Sequence, residues 1–142
     1  MIIVFTLGAA SMRLYKYRTM DYSEAKRTTQ KFLNKHQGDL EKIALQILSG
    51  KTEEAEYKGV RYISEHVDYT RTVEFFIDCQ GMLGVQYWSL IYSEDGTYEG
   101  EAERYTYYEP GGNNVIFAEH LQGNWFFYWI DYDGDERLSV LP

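Results

Sequence analysis

The chain has 142 residues, 44% of them hydrophobic and 25% charged, which fits one globular domain with one core and excludes a disordered or fibrous chain. Its net charge of −8 is unevenly spread: residues 1–52 carry nine Lys or Arg against four Asp or Glu, and residues 53–142 carry five against eighteen. The C-terminal part therefore repels nucleic acid and anionic membranes and attracts basic partners.

The first twelve residues, MIIVFTLGAASM, are apolar. A helical span needs about 20 residues, and no basic residue precedes Ile2 as a signal peptide requires. Arg13, Lys16 and Arg18 follow instead. Three readings compete for residues 1–20: a core strand, the remnant of a membrane anchor that starts further upstream, or an apolar arm that meets a partner. Residues 21–142 form the single folded domain.

A helix is expected from Ser23 to Ser49. Asp21 or Ser23 can cap its first amides, Glu24 suits the positive end of the dipole, and Gly50 followed by Lys51 is a stop signal. Leu33, Leu40, Ile43, Ala44, Ile47 and Leu48 recur at helical spacing and define one apolar stripe. Either the helix overhangs the strands it covers, or Gly38 and Asp39 break it in two.

After Thr52 the period changes to two. Gly59 to Ser64, Thr72 to Asp78, Gly84 to Tyr92, Glu103 to Glu109, Asn114 to Leu121 and Trp125 to Tyr132 are six strand candidates, separated by glycine-bearing turns. Their close spacing predicts hairpins and an antiparallel meander. Aromatic residues at 17%, including 14 Tyr, suit strands. The fold class is α+β: a long N-terminal helix packed on one face of a five- to six-stranded antiparallel meander sheet. Val73, Phe75 and Ile77 mark one face of the second strand and Glu74, Phe76 and Asp78 the other. The last strand is apolar on both faces, which fits a central strand or an aromatic patch on the open face that meets a partner.

Motifs for chemistry are weak. Counting from Asp131, an EF-hand loop fails because glycine falls at the fourth position and Pro142 at the twelfth. Asp131, Asp133 and Asp135 read as a solvated turn. His36, His66 and His120 show no metal spacing. Cys79, the single cysteine, forms no internal disulfide and reads as a small buried strand residue. Gly50, Lys51 and Thr52 resemble the end of a phosphate loop but follow a helix rather than a strand. No cofactor and no metal are expected.

The segment SEDGTYEGEAERYTYYE interleaves Glu94, Asp95, Glu99, Glu101, Glu103 and Glu109 with Tyr98, Tyr105, Tyr107 and Tyr108. Six acids so close repel one another and suit a solvated strand or a binding face better than a preorganised acid–base pair. Fixed carboxylates meet Lys and Arg of a partner, and tyrosines add rigid contact area.

At YWSLIYSEDG and at YYEPGGNNVIFAEHLQGNWFFYWIDYDG the chain resembles a loose group of small uncharacterised proteins of anaerobic Gram-positive bacteria. The likeness spans residues 25–132 and rests on Ile47 to Gly50 as a helix stop, and on Gly112, Asn114, Asn124, Trp125 and Tyr128. It implies an N-terminal helix with an antiparallel sheet, and often a membrane anchor; it implies no activity.

The functional expectation is a non-enzymatic acidic binding protein that docks onto or inhibits a basic macromolecular partner, such as a nuclease or toxin. An immunity protein or a nucleic-acid-mimicking inhibitor fits. The expected contact residues are Glu94, Asp95, Glu99, Glu101, Glu103 and Tyr107, with no direct nucleic-acid binding and a cytoplasmic location favoured over a membrane-anchored one. The alternative is a membrane-tethered extracytoplasmic domain that binds a small ligand between helix and sheet, lined by Leu33 and by Trp88 or Trp129.

Overall fold

A computed structural model describes residues 20–67, 70–81, 86–98, 105–109 and 112–132, with backbone alone described for 105–109 and 112–117. Among the described residues one α-helix, α1 (Tyr22–Leu48), precedes six strands: β1 (Tyr62–His66), β2 (Thr72–Gln80), β3 (Gln86–Ser93), β4 (Tyr105–Glu109), β5 (Gly112–Gln122) and β6 (Trp125–Asp131). The chain is thus α+β with an antiparallel sheet. Each strand overlaps a segment that the two-residue alternation marks.

Helix α1 begins where Asp21, in extended conformation, accepts a hydrogen bond from the Glu24 amide at 2.7 Å. This satisfies one of the amides that have no partner within the helix. Ser49 is the C-cap, and Gly50 turns the chain at φ +70 while its amide donates to the Ile47 carbonyl at 2.9 Å. The break considered at Gly38 and Asp39 does not occur. Gly38 costs about 1 kcal/mol in a helix interior, but Leu33, Leu40 and Ala44 on either side of it are fully buried. Each such leucine contributes about 1.5–3 kcal/mol, so packing outweighs the glycine.

The buried helix residues meet sheet residues in two clusters. Leu33, Leu40, Ala44, Ile47 and Leu48 pack with Val73, Phe75, Leu90, Tyr92 and Trp125. Tyr22 and Ala25 pack with Trp88, Phe127 and Trp129. We call the sheet face that carries these residues the helix side. Between helix and sheet, Gly59 has φ +92, and a Cβ there would lie 2.8 Å from the Phe32 ring. The segment from α1 to β1 can close over Phe32 only with glycine at that position.

The expected single meander is corrected by the strand order, β1-β2-β3-β6-β5-β4. Two three-stranded meanders join along β3 and β6, which pair antiparallel with Trp88 opposite Trp129 and Leu90 opposite Phe127. Strand β6 wins the place beside β3 because it is apolar on both faces, and only a central strand buries both. Six of its seven residues are buried. The link from Ser93 to Tyr105 is longer than the two to five residues of a hairpin loop, which is the trace this rearrangement leaves in the sequence. Bulges fall between Phe76 and Asp78 in β2 and between His120 and Gln122 in β5.

Candidate functional site: a tyrosine-rich sheet face and an acidic groove

The face of the sheet opposite the helix side is aromatic and hydroxyl-bearing. Register aligns Tyr62 with Phe76, Phe76 with Ser89, Ser89 with Tyr128, and Tyr128 with Ala118 across five strands. In this row of rings Ser89 is small and fully buried, and it leaves room for a carboxylate. The carboxylate comes from Glu74, in the neighbouring row, which is 8% exposed. Its Oε1 accepts from the Ser89 hydroxyl at 2.6 Å, and its Oε2 lies 2.9 Å from His66 Nε2.

Tyrosines surround this acid. Tyr62 stacks on Phe76 with ring centroids 4.7 Å apart, Tyr87 packs against Tyr128 and Tyr132, and Tyr98 reaches back from the loop after β3 onto Phe126 and Tyr128. Burial, and then the negative charge of Glu74, push the Tyr98 phenol up to about 12. Burial also raises Tyr87 and Tyr128, with neighbouring phenols and Glu74 adding to it. The phenols stay protonated and available as donors across the physiological range. Tyr62 and Tyr132 stand half exposed at the rim, at 51% and 47%.

Next to Tyr62 the segment between α1 and β1 forms an open groove of about 710 Å³. Glu53, Glu54, Glu56, Lys58, Arg61 and Tyr62 are among the residues that line it. Glu53, Glu54 and Glu56 are exposed, and among the described residues none of the three has a counter-ion. Other acids do. Glu65 and Glu94 face Arg71, Asp78 faces Arg61, and Glu119 pairs with Lys26. Burial pushes the Glu119 carboxyl up, yet hydrogen bonds from Lys26 and Tyr22 and the ammonium charge outweigh it and hold the group below the usual carboxylate range.

The residues expected to make the partner contact divide in three. Glu94 lies 3.6 Å from Arg71 Nη1. Asp95 accepts from the Thr97 amide and hydroxyl at 2.9 and 2.7 Å and from the Ser93 hydroxyl at 3.0 Å, so it serves the turn after β3; these bonds, those from Thr97 first, lower its carboxyl. Tyr107 pairs with Asn114 in the β4–β5 ladder. Glu99, Glu101 and Glu103 lie outside the described residues. Sequence reading named Glu74 only as an outward position of the second strand and Tyr128 only within the last strand's aromatic face and the resemblance, and it did not single out Tyr62, Tyr87 or the three groove acids as contact residues. The available signal was alternation: Tyr87 and Ser89 fall opposite in parity to Trp88 and Leu90, as Tyr128 does to Phe127 and Trp129.

The pocket expected between helix and sheet is filled at its named residues. Leu33, Trp88 and Trp129 are at most 3% exposed, and the two indoles stack 5.5 Å apart. At Glu74 the geometry differs from a nucleophile–base–acid relay. Ser64 Oγ, at 3.2 Å, and Glu74 share the same nitrogen of His66, whereas a relay uses the two ring nitrogens separately. Among the described residues no group of three or more His, Cys, Asp and Glu could hold a metal ion, and no helix is long and apolar enough to cross a membrane. Asp133 and Asp135 lie outside the described residues. Cys79 sits partly buried in β2.

A scan against protein-family models, a search of curated proteins and a search of solved structures each return no match for this chain.

Proposed function

We propose that this protein is a non-enzymatic docking module that binds, and by covering it inhibits, a basic macromolecular partner of the nuclease or toxin kind. The architecture assigned to it is two-layered: α1 closes one side of the sheet, and on the other side the exposed rim of the tyrosine face, with Tyr62 and Tyr132, makes the contact. The observation that carries this reading is the groove of about 710 Å³ in which Glu53, Glu54 and Glu56, which have no ion-pair partner among the described residues, stand beside Tyr62, where the tyrosine face begins. Unpaired acids on a rim accelerate encounter with a basic partner. Tyrosines supply area at low entropic cost, and their electron-rich faces accept Lys and Arg side chains. Glu74 beneath them adds a fixed negative charge in a partly dry setting, where it acts more strongly than in water. Glu99, Glu101, Glu103 and Tyr107 extend the same acidic, tyrosine-rich character in the sequence and belong to the proposed contact.

The test begins with the immobilised full chain, a native lysate, and identification of what it retains. Association is then followed with purified partner over a salt series. Reversing Glu53, Glu54 and Glu56 to Lys is expected to slow association by about tenfold or more at low salt and to flatten its salt dependence, with a small change in dissociation. Tyr62→Ala is expected to speed dissociation instead. An acidic partner, or association unchanged by both the groove reversal and Glu99→Lys with Glu101→Lys, removes the proposal.

A further inference from the structure

The side of α1 that faces away from the sheet carries Arg27, Lys31, Lys35 and Lys42, all exposed. At about 100° per residue these four fall within about 80° of arc, centred almost opposite the buried stripe of Ala25, Leu33, Leu40 and Ala44. Along the axis they span about 22 Å. None of the four has an ion-pair partner among the described residues, whereas Lys26, on the sheet-facing flank, is taken by Glu119. One acid that flanks the arc, Asp39, is engaged by the segment after the helix. Asp39 accepts from the Tyr57 hydroxyl at 2.9 Å, and burial, with the charge of Glu41 adding to it, raises the Tyr92 phenol of the sheet. Glu24, one turn before Arg27, lies at the N-terminal end of this arc, and from Arg27 to Lys42 the arc carries four cations and no acid, a stretch of opposite sign to the protein as a whole.

We propose that this face of α1 is a membrane-surface contact, on which Arg27, Lys31, Lys35 and Lys42 seat the domain against the anionic headgroups of a lipid leaflet. Charge complementarity alone would also suit nucleic acid. The sequence leading into α1 favours lipid: Ile2, Ile3, Val4, Phe5 and Leu7 provide apolar side chains, and Arg13, Lys16 and Arg18 continue the basic character up to the helix. An apolar stretch coupled to a basic helix face is the combination that holds proteins at an anionic interface, where one signal alone binds only marginally. The net charge of −8 does not oppose this. A helix is about 10 Å thick, which exceeds the Debye length of about 8 Å at physiological salt, so acids beyond the sheet are screened from a leaflet that touches α1. In this orientation the tyrosine face points away from the membrane.

The experiment is co-sedimentation of the full-length chain with two kinds of vesicle, phosphatidylcholine alone and phosphatidylcholine mixed with phosphatidylserine, over a salt series. Binding to the mixed vesicles is expected, weakening as salt rises. Replacing all four cations by Gln keeps good helix formers in place, and this variant, checked by circular dichroism, is expected to lose about a hundredfold in partitioning to anionic vesicles, since each surface-bound cation contributes a several-fold factor. A second variant with Glu at the four positions should lose more. Three results overturn the proposal: equal binding to both vesicle types, undiminished binding by the folded Gln variant, or binding to duplex DNA that outcompetes the anionic vesicles. Sedimentation of the chain without lipid completes the set. A dimer that the Gln variant abolishes would assign the face to a second copy and also overturn the lipid assignment.

Discussion

The two faces of the sheet use aromatic residues differently. On the helix side Trp88, Trp125 and Trp129 are at most 3% exposed, and the Nε1 donors of Trp125 and Trp129, like the hydroxyl of Thr29 on α1, are buried with no hydrogen-bond partner among the described residues. On the opposite side the rings are largely tyrosines, and the buried polar groups Ser89 and Glu74 satisfy one another and His66. An orphaned donor costs about 1–3 kcal/mol, and burying an aromatic side chain stabilises by at least as much. The helix side therefore accepts indoles for their volume, while the other side selects groups for where their hydroxyls and charge sit. A surface built only to be covered has no need of that placement.

The contrast can be broken at either face. Trp125→Ala removes an indole that touches Phe75 and Tyr92 at ring separations of 5.4 and 5.0 Å. It is expected to cost about 3–5 kcal/mol, read as a lowered urea midpoint, and to leave partner binding by the remaining folded protein unchanged. A smaller loss, on the order of 2 kcal/mol, is expected on raising pH. Tyr98 holds its proton more tightly when folded, at about 12 against the usual 10.0, through burial first and the charge of Glu74 second. The stability it contributes is complete below pH 10, declines between pH 10 and about 12, and is absent above. Tyrosinate absorbance should rise together with loss of circular dichroism, and Tyr98→Phe should move the onset. The smallest effect belongs to Ser89→Ala, which leaves one carboxylate oxygen of Glu74 without its donor. A loss of about 1.5 kcal/mol is expected from urea unfolding, with weaker partner binding; stability lost with binding untouched would reduce Glu74 to a structural acid.

Helix and strand existence was legible because each rests on local periodicity: Asp21, Gly50 and the Leu33 to Leu48 stripe mark α1, and alternation marks the strands. Strand order was not, because neighbours in a sheet are chosen by burial of both faces rather than by proximity along the chain. The double-sided apolarity of residues 125–130 was visible and pointed to a central strand. The long link between Ser93 and Tyr105 was the unused clue that β4 leaves its predecessor. The proposed binding face was only half legible. Local density of acids drew attention to residues 94–103, yet Glu94 and Asp95 are engaged by Arg71 and by their own turn. Glu74 and Tyr62, Tyr87 and Tyr128 are scattered along the chain and become one surface only through register.

The pairing of β3 with β6 also governs the order of events during synthesis. The first three strands emerge from the ribosome well before β6, so Trp88, Leu90 and Tyr92 have their β2 partners early but lack Trp129, Phe127 and Trp125 on the other side until β6 has been translated. Two meanders that must find each other late, through contacts distant in sequence, make slow folding, and the nascent half exposes an apolar edge while it waits. A helper that shields exposed aromatic segments would raise the yield of native chain most strongly at that stage.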